Sequence, residues 1–306
     1  MTRRRAYLLL AALAVVWGVH WPIITIGLRE LPPFTYAALR VAAALPVVLA
    51  ILASLAPRRA LRLPPRHDLP VLLVVGLGQM AAAMVLMNLA LQAVAPGRSS
   101  VLGYTTPFWA ALIQAAVLGM ALGRGELAGI GIGLAGIAIL LNPAAIDWRS
   151  GGQLAGSFGL LLSAATTAVS VIVVRRHRWQ ATPLELQPWQ LLVALIPLTT
   201  LALVLDAGRP IHVDAVAVLC VLYSGPLATA FAYWASQSVS RALSPTTTTM
   251  GMLATPVVGL VASAVLVGER VGALDLIGFG VTIAGIAVVS IADVVRSRAQ
   301  PETLSA

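Results

Sequence analysis

The sequence predicts an all-α integral membrane protein whose ten transmembrane helices form two inverted five-helix repeats. Three observations predict it: successive apolar runs of membrane length, a repeat at a constant offset of 149 residues, and arginines gathered in alternate connections. Of 306 residues, 59% are hydrophobic and 10% charged, with a mean hydropathy of +0.93. That leaves too little polar surface to cover a soluble globule of this length.

A helical span needs about 20 mostly apolar residues. Charge and turn clusters divide the chain into spans at 6–28, 34–56, 70–94, 97–121, 126–142, 153–175, 185–205, 214–238, 245–267 and 273–292. The first run is too long for a signal-peptide core and is followed at once by others, which predicts a retained helix. Residues 96–138 recur as 245–287: Pro96, Thr106, Pro107, Gly119, Gly123, Gly129 and Gly136 return as Pro245, Thr255, Pro256, Gly268, Gly272, Gly278 and Gly285. In all, 13 of these 43 positions are identical, where so biased a composition gives roughly four by chance. The match extends weakly backward to Gly76 and Gly225, then slips by one residue near Pro33 and Pro183. The expected domains are therefore 1–147 and 148–295, with a disordered cytoplasmic tail at 296–306. Five spans per repeat, an odd number, make the second copy enter the membrane from the opposite side, so a pseudo-two-fold axis lies in the membrane plane and a site is expected near mid-depth where the halves meet.

All twenty basic residues are arginine. Fourteen of them fall in one set of alternating connections and five in the other, which by the positive-inside rule puts both termini in the cytoplasm. The net charge of +9 is thus a topology signal and no nucleic-acid partner is expected. The expected address is the bacterial cytoplasmic (inner) membrane. Cys220 is the only cysteine, so an intrachain disulfide is excluded, and no metal site or cofactor is expected.

Along the chain, the first span places Trp17, His20 and Trp21 on one helical face by their i, i+3, i+4 spacing. Trp17 is too deep for an interfacial belt, so a cavity wall is expected. The second span carries Arg40, the only arginine well inside a span, at an insertion cost of about 2.5 to 3.5 kcal/mol. It either bonds carbonyls and snorkels outward or attracts a substrate carboxylate. Spans three and eight pair Met80, Met84 and Asn88 with Thr229, Tyr233 and Gln237. Spans four and nine open on Pro96 and Pro245 and hold a second proline, Pro107 and Pro256, deep in the membrane, where each is expected to kink or loosen its helix. Thr106, Trp109 and Thr255 lie beside these breaks, and Thr166 lies mid-way along span six. The glycine-rich spans five and ten read as close-packing scaffold, with a contact to a second subunit, a homodimer, as the alternative.

The ten-span plan, Trp17-Gly18 in the first span, Leu39-Arg40 in the second and the paired prolines and glycines resemble the EamA-type drug/metabolite transporter superfamily, most of all its bacterial aromatic amino acid exporters. The resemblance covers nearly the whole chain. It implies export of a small amphipathic substrate, such as aromatic and other amino acids, by alternating access. Trp17, His20, Trp21, Met80, Met84, Asn88, Thr106, Trp109, Thr166, Tyr233, Gln237 and Thr255 are the expected substrate-binding residues, Arg40 the carboxylate contact, and Pro107 and Pro256 the gating positions.

Several chemistries are absent. Without lysine there is neither a P-loop nor a Schiff base, which excludes an ATP-driven pump in one chain and a retinal protein. All eleven carboxylates lie in loops or at span ends, whereas proton-driven pumps usually keep one within the membrane. An uncoupled facilitator is therefore expected, with proton antiport through His20 as the alternative. A sugar-nucleotide carrier would want more basic groups than Arg40, and no zinc signature or nucleophile with its base points to an enzyme. From a different class, a non-transporting membrane scaffold remains the rival.

Overall fold

The structure, a computed structural model, describes residues 2–55, 62–141, 151–243 and 245–299. Ten helical runs cross the molecule: α1 (Arg3–Glu30), α2 (Pro33–Leu55), α3 (Arg66–Ala90), α4 (96–118), α5 (Arg124–Leu141), α6 (Gly152–Arg176), α7 (Pro183–Leu205), α8 (215–242), α9 (245–267) and α10 (Ala273–Ala299). No strand occurs among the described residues. Nine of the runs contain a helix long and apolar enough to cross a membrane. The tenth, α4, is as long but broken between Gly103 and Thr106 into two shorter helices. The expected junction around Asp147 and the end of the tail, 300–306, lie outside the described residues.

The helices pack as a pseudo-two-fold requires. α1 lies against α8 and α9, and its mate α6 lies against α3 and α4; α2 contacts α8 as α7 contacts α3. The pairs α2/α7, α4/α9 and α5/α10 each meet their own mate. The fold is thus two inverted five-helix repeats.

Glycines set how closely these pairs approach. In the α5/α10 crossing, a Cβ at Gly129 would run into Val289 and one at Gly278 into Leu140; one at Gly136 would strike Thr282 and one at Gly285 the backbone of Gly133. Each contact is the image of another under the 149 offset, and backbones can approach this closely only where side chains are missing.

Local backbone features recur as well. α4 and α9 both break in mid-course, at 104–105 and at 253, three residues or fewer before Pro107 and Pro256, where a proline removes a backbone N–H and crowds the preceding turn. Both stop at a left-handed glycine, Gly119 (φ 64°) and Gly268 (φ 69°), a conformation that residues with a Cβ resist. The turns that follow are closed alike, Gly123 N donating to Glu126 and Gly272 N to Asp275. Finally, Val74–Ala82 in α3 and Tyr223–Phe231 in α8 are both π-helical, again 149 residues apart. In these wider turns Gly76 sits on the Gln190 carbonyl and Gly225 on the Arg40 carbonyl.

Candidate functional site

A polar and aromatic cluster lies where α1, α2, α3, α4, α8 and α9 converge. From α1, the half-buried Trp17 donates its indole N–H to the Ala228 carbonyl at 2.9 Å and sets its ring edge-on to Tyr233, 5.8 Å between centroids. One turn on, His20 is buried and stacked on Tyr223, whose hydroxyl donates to the Val16 carbonyl. The π-helical stretch of α8 thus receives both rings of α1, in keeping with the frequent use of π-bulges at functional sites.

Arg40 reaches into the same region from α2. It is 5% exposed, and its Nε donates to the Thr229 hydroxyl at 2.9 Å, which itself donates to the Ser224 carbonyl at 2.7 Å. Among the described residues no carboxylate pairs with Arg40 and its Nη1 has no partner. Arg40 lies within electrostatic range of His20, Tyr36 and Tyr233. His20 Nε2 is also buried without a partner, and the buried Thr255 hydroxyl faces the Tyr104 phenol. In a dry interior each unpartnered group costs about 1 to 3 kcal/mol. A ligand with a carboxylate and hydrogen-bonding groups would offset that cost.

Sequence reasoning missed several members. Gln79 donates from α3 to the Tyr233 hydroxyl at 3.2 Å, and Tyr36 bonds Ser224 at 2.6 Å and the Cys220 carbonyl at 3.2 Å. Tyr104 and Tyr223 were missed too. For Gln79 and Tyr223 the available signal was the pair of offset glycines, Gly76 and Gly225, which mark the π-helical segments that carry them.

Other expected residues sit elsewhere. Trp21 packs against Gly103 in an apolar cluster with Leu102 and Phe108. Met80 and Met84 fill a second cluster with Val41, Leu191 and Leu198, onto which Tyr233 packs. Asn88 is fully buried and ties α3 to the start of α2, its Nδ2 donating to the Pro33 carbonyl at 2.9 Å, while its Oδ1 has no partner. Thr166 donates to Leu162 within its own helix and lines a flank pocket of about 260 Å³ with Val74, Gly78 and Ile113. Thr106, Trp109 and Gln237 are half-buried. Pro107 begins the second piece of α4, and the Pro256 carbonyl accepts from Ser100 at 3.3 Å. A larger concavity, about 480 Å³, lies on the apolar flank between α1 and α9, among Val19, Val257 and Val261. It has none of the cluster's polar groups.

Hydrogen bonds and ion pairs tie connections together at both ends of the bundle. At the end opposite the N terminus, Glu269 accepts from Gly97 N at 2.7 Å, Arg98 pairs with Asp275 at 2.8 Å, and Asp206 accepts from the amide and hydroxyl of Thr35. Burial raises the pKa of Glu269 above the usual carboxylate range, partly countered by the Gly97 and Arg98 amides and the Arg98 charge. At the N-terminal end Asp68 binds His177 and two amides of the α6–α7 connection.

The model of the EamA-like transporter family matches residues 4–142 and again 154–291. The chain belongs to that family. It is a transporter of the lipid bilayer and not an enzyme. A probable amino-acid metabolite efflux pump of Salmonella typhimurium is 27% identical over 94% of both chains, and one of Escherichia coli 25% identical over 91% of this chain and 92% of that one. A probable terminal-alkyne amino-acid exporter of Streptantibioticus cattleyicolor is 27% identical over 95% of both. A crystal structure superposes with a TM-score of 0.66 at 20% identity, covering 95% of this chain and 98% of that one, a likeness of fold.

Proposed function

We propose that this EamA transporter exports small amphipathic amino acids, aromatic ones among them, across the bacterial cytoplasmic membrane, with both termini in the cytoplasm. Residues 1–147 and 148–295 rock against each other about the polar cluster in an alternating-access cycle. The observation that carries this is Arg40: a buried guanidinium with a free Nη1, no carboxylate beside it among the described residues, His20, Tyr36 and Tyr233 within electrostatic reach, and Trp17 against Tyr233. The guanidinium binds the substrate carboxylate, the fork geometry suiting it better than an ammonium would. Trp17 and Tyr233 meet the apolar side chain and attract the substrate ammonium through their ring faces, each by about 0.5 to 2 kcal/mol. The relatives' printed names point to the same substrate class.

Transport is uncoupled in this reading. Among the described residues every carboxylate but Asp293 sits at a helix end or in a connection, and Asp293 lies near the end of α10, paired with the exposed Arg175; Arg40 already supplies the pocket's positive charge, so no proton on His20 is needed.

Purified protein in liposomes tests the proposal. Time-dependent uptake of labelled phenylalanine without a pH gradient is the expected result. Uptake only with a gradient moves the mechanism to proton antiport, and absence of flux for phenylalanine and other amino acids favours a scaffold.

A further inference from the structure

Two of the chain's four histidines meet one carboxylate at the N-terminal end of the bundle, far from the polar cluster. His67 and Asp68 lie in the short 3-10 turn that opens α3, and His177 caps the end of α6. His177 Nε2 stands 2.6 Å and His67 Nδ1 3.5 Å from the same Asp68 oxygen, Oδ1, and the two imidazole rings are 4.7 Å apart. One ligand atom from each residue falls within 4.8 Å of the others.

We propose that His67, Asp68 and His177 form a site for a divalent transition-metal ion, Zn²⁺ or Co²⁺ in character, that clasps the two repeats together. Two imidazoles and a carboxylate are the donor set that borderline cations prefer, and three protein ligands leave a fourth position for water. Donors sharing a tetrahedral zinc lie roughly 3.3 Å apart, given bonds of about 2.0 to 2.1 Å. The His67 contact is near that value, and the His177 contact opens by under an ångström as the ion replaces the shared proton.

The surroundings are those of a supported site. Asp68 is wholly buried and held by the Ala181 amide at 2.8 Å and the Gln180 amide at 3.3 Å, while Trp179 stands edge-on to His177. Such outer contacts fix ligand orientation. His67 is half exposed, which gives an ion its entry. A capping carboxylate alone would need only the two amides and one imidazole; the second ring, tilted over the first, is what a metal site adds. Arg66 and Arg178 flank the ligands in sequence and oppose a cation, so micromolar affinity is expected.

Because Asp68 belongs to the first repeat and His177 to the second, an occupied site joins the halves through their connections. The inference stands independently of the substrate.

The test uses the purified full-length chain, freed of any histidine tag, titrated with Zn²⁺ by calorimetry and with Co²⁺ by visible absorption. One ion per chain is expected, with Co²⁺ giving the strong d–d bands of a low-coordinate site and Zn²⁺ raising the melting temperature. His67→Ala, a half-exposed position that leaves the Asp68–His177 contact intact, weakens binding at least about tenfold and abolishes the thermal shift. His212→Ala, in the connection at the opposite end, changes neither. Wild-type binding by His67→Ala, or no stoichiometric binding up to about 0.1 mM Zn²⁺, overturns the proposal.

Discussion

The two repeats share a backbone but not a chemistry. Helix breaks, left-handed glycine stops, carboxylate-closed turns and π-helical stretches all recur at an offset of 149, whereas the side chains they carry diverge. Where one half has Gln79, the other has Ala228; Tyr223 and Ser224 of α8 answer to Val74 and Val75 of α3. Arg40 corresponds, with the one-residue slip, to Gln190, and both backbones receive a glycine of the partner helix, Gly225 and Gly76. Duplication thus supplies a symmetric frame, and substitution has placed the polar groups on its α1–α2–α8 side. The other side sets Met80 and Met84 beside Leu191 and Leu198, and its buried polar groups, Gln187 and Gln190, are neutral amides.

Changes to the frame should hurt equally in both halves. Gly136→Leu and Gly285→Leu each force a side chain into a backbone contact, so both should abolish monodisperse protein on gel filtration, overpacking of this kind costing about 1 to 3 kcal/mol or more. If only one of the pair misfolds, the α5/α10 crossing is not equivalent in the two halves.

Changes to the chemistry should hurt on one side alone. Arg40→Gln, which copies its mate, should lower amino-acid flux in liposomes by about 10- to 100-fold, the worth of a hydrogen bond to a charged group, while sparing an amine without a carboxylate. Gln190→Leu should stay within about twofold of wild type. Equal losses in both variants would remove Arg40 from the substrate path.

A smaller contrast comes from α1 and α6. Trp17→Ala should raise KM for phenylalanine about five- to tenfold, the loss of one or two aromatic contacts, and Thr166→Ala should leave it unchanged. The smallest effect belongs to Tyr233→Phe, which keeps the ring against Trp17 and loses only the Gln79 bond; a drop of about two- to fourfold in flux is expected. A larger drop would mean that the hydroxyl itself meets the substrate.

The contrast also explains what the sequence revealed. Prolines, glycines and span lengths act locally, so the ten helices, the offset and the slip near Pro33 and Pro183, where α2 and α7 begin, could be read from the chain. The cluster could not be read in full. Tyr104, Tyr223 and Gln79 carry no periodic signature: Tyr223 and Gln79 lie in widened helical turns whose hydrogen bonding depends on tertiary packing, and Tyr104 lies at the break of α4. Position along a span marked Trp17 and Thr255 as near the centre, but depth says nothing of which way a side chain faces, so Met80, Met84 and Thr166 were marked with them. Asp68 and His177 are 109 residues apart, a distance over which no spacing rule applies.

At the α5/α10 crossing the Gly133 and Gly285 main chains touch with nothing between them. At that point the joint has no rotamers to rearrange, and the Val289, Leu140 and Thr282 side chains pack on the glycines around it, so it resists sliding more than turning. In the proposed rocking cycle such a joint would serve as the pivot, with the opening widening away from it toward α1, α2 and α8.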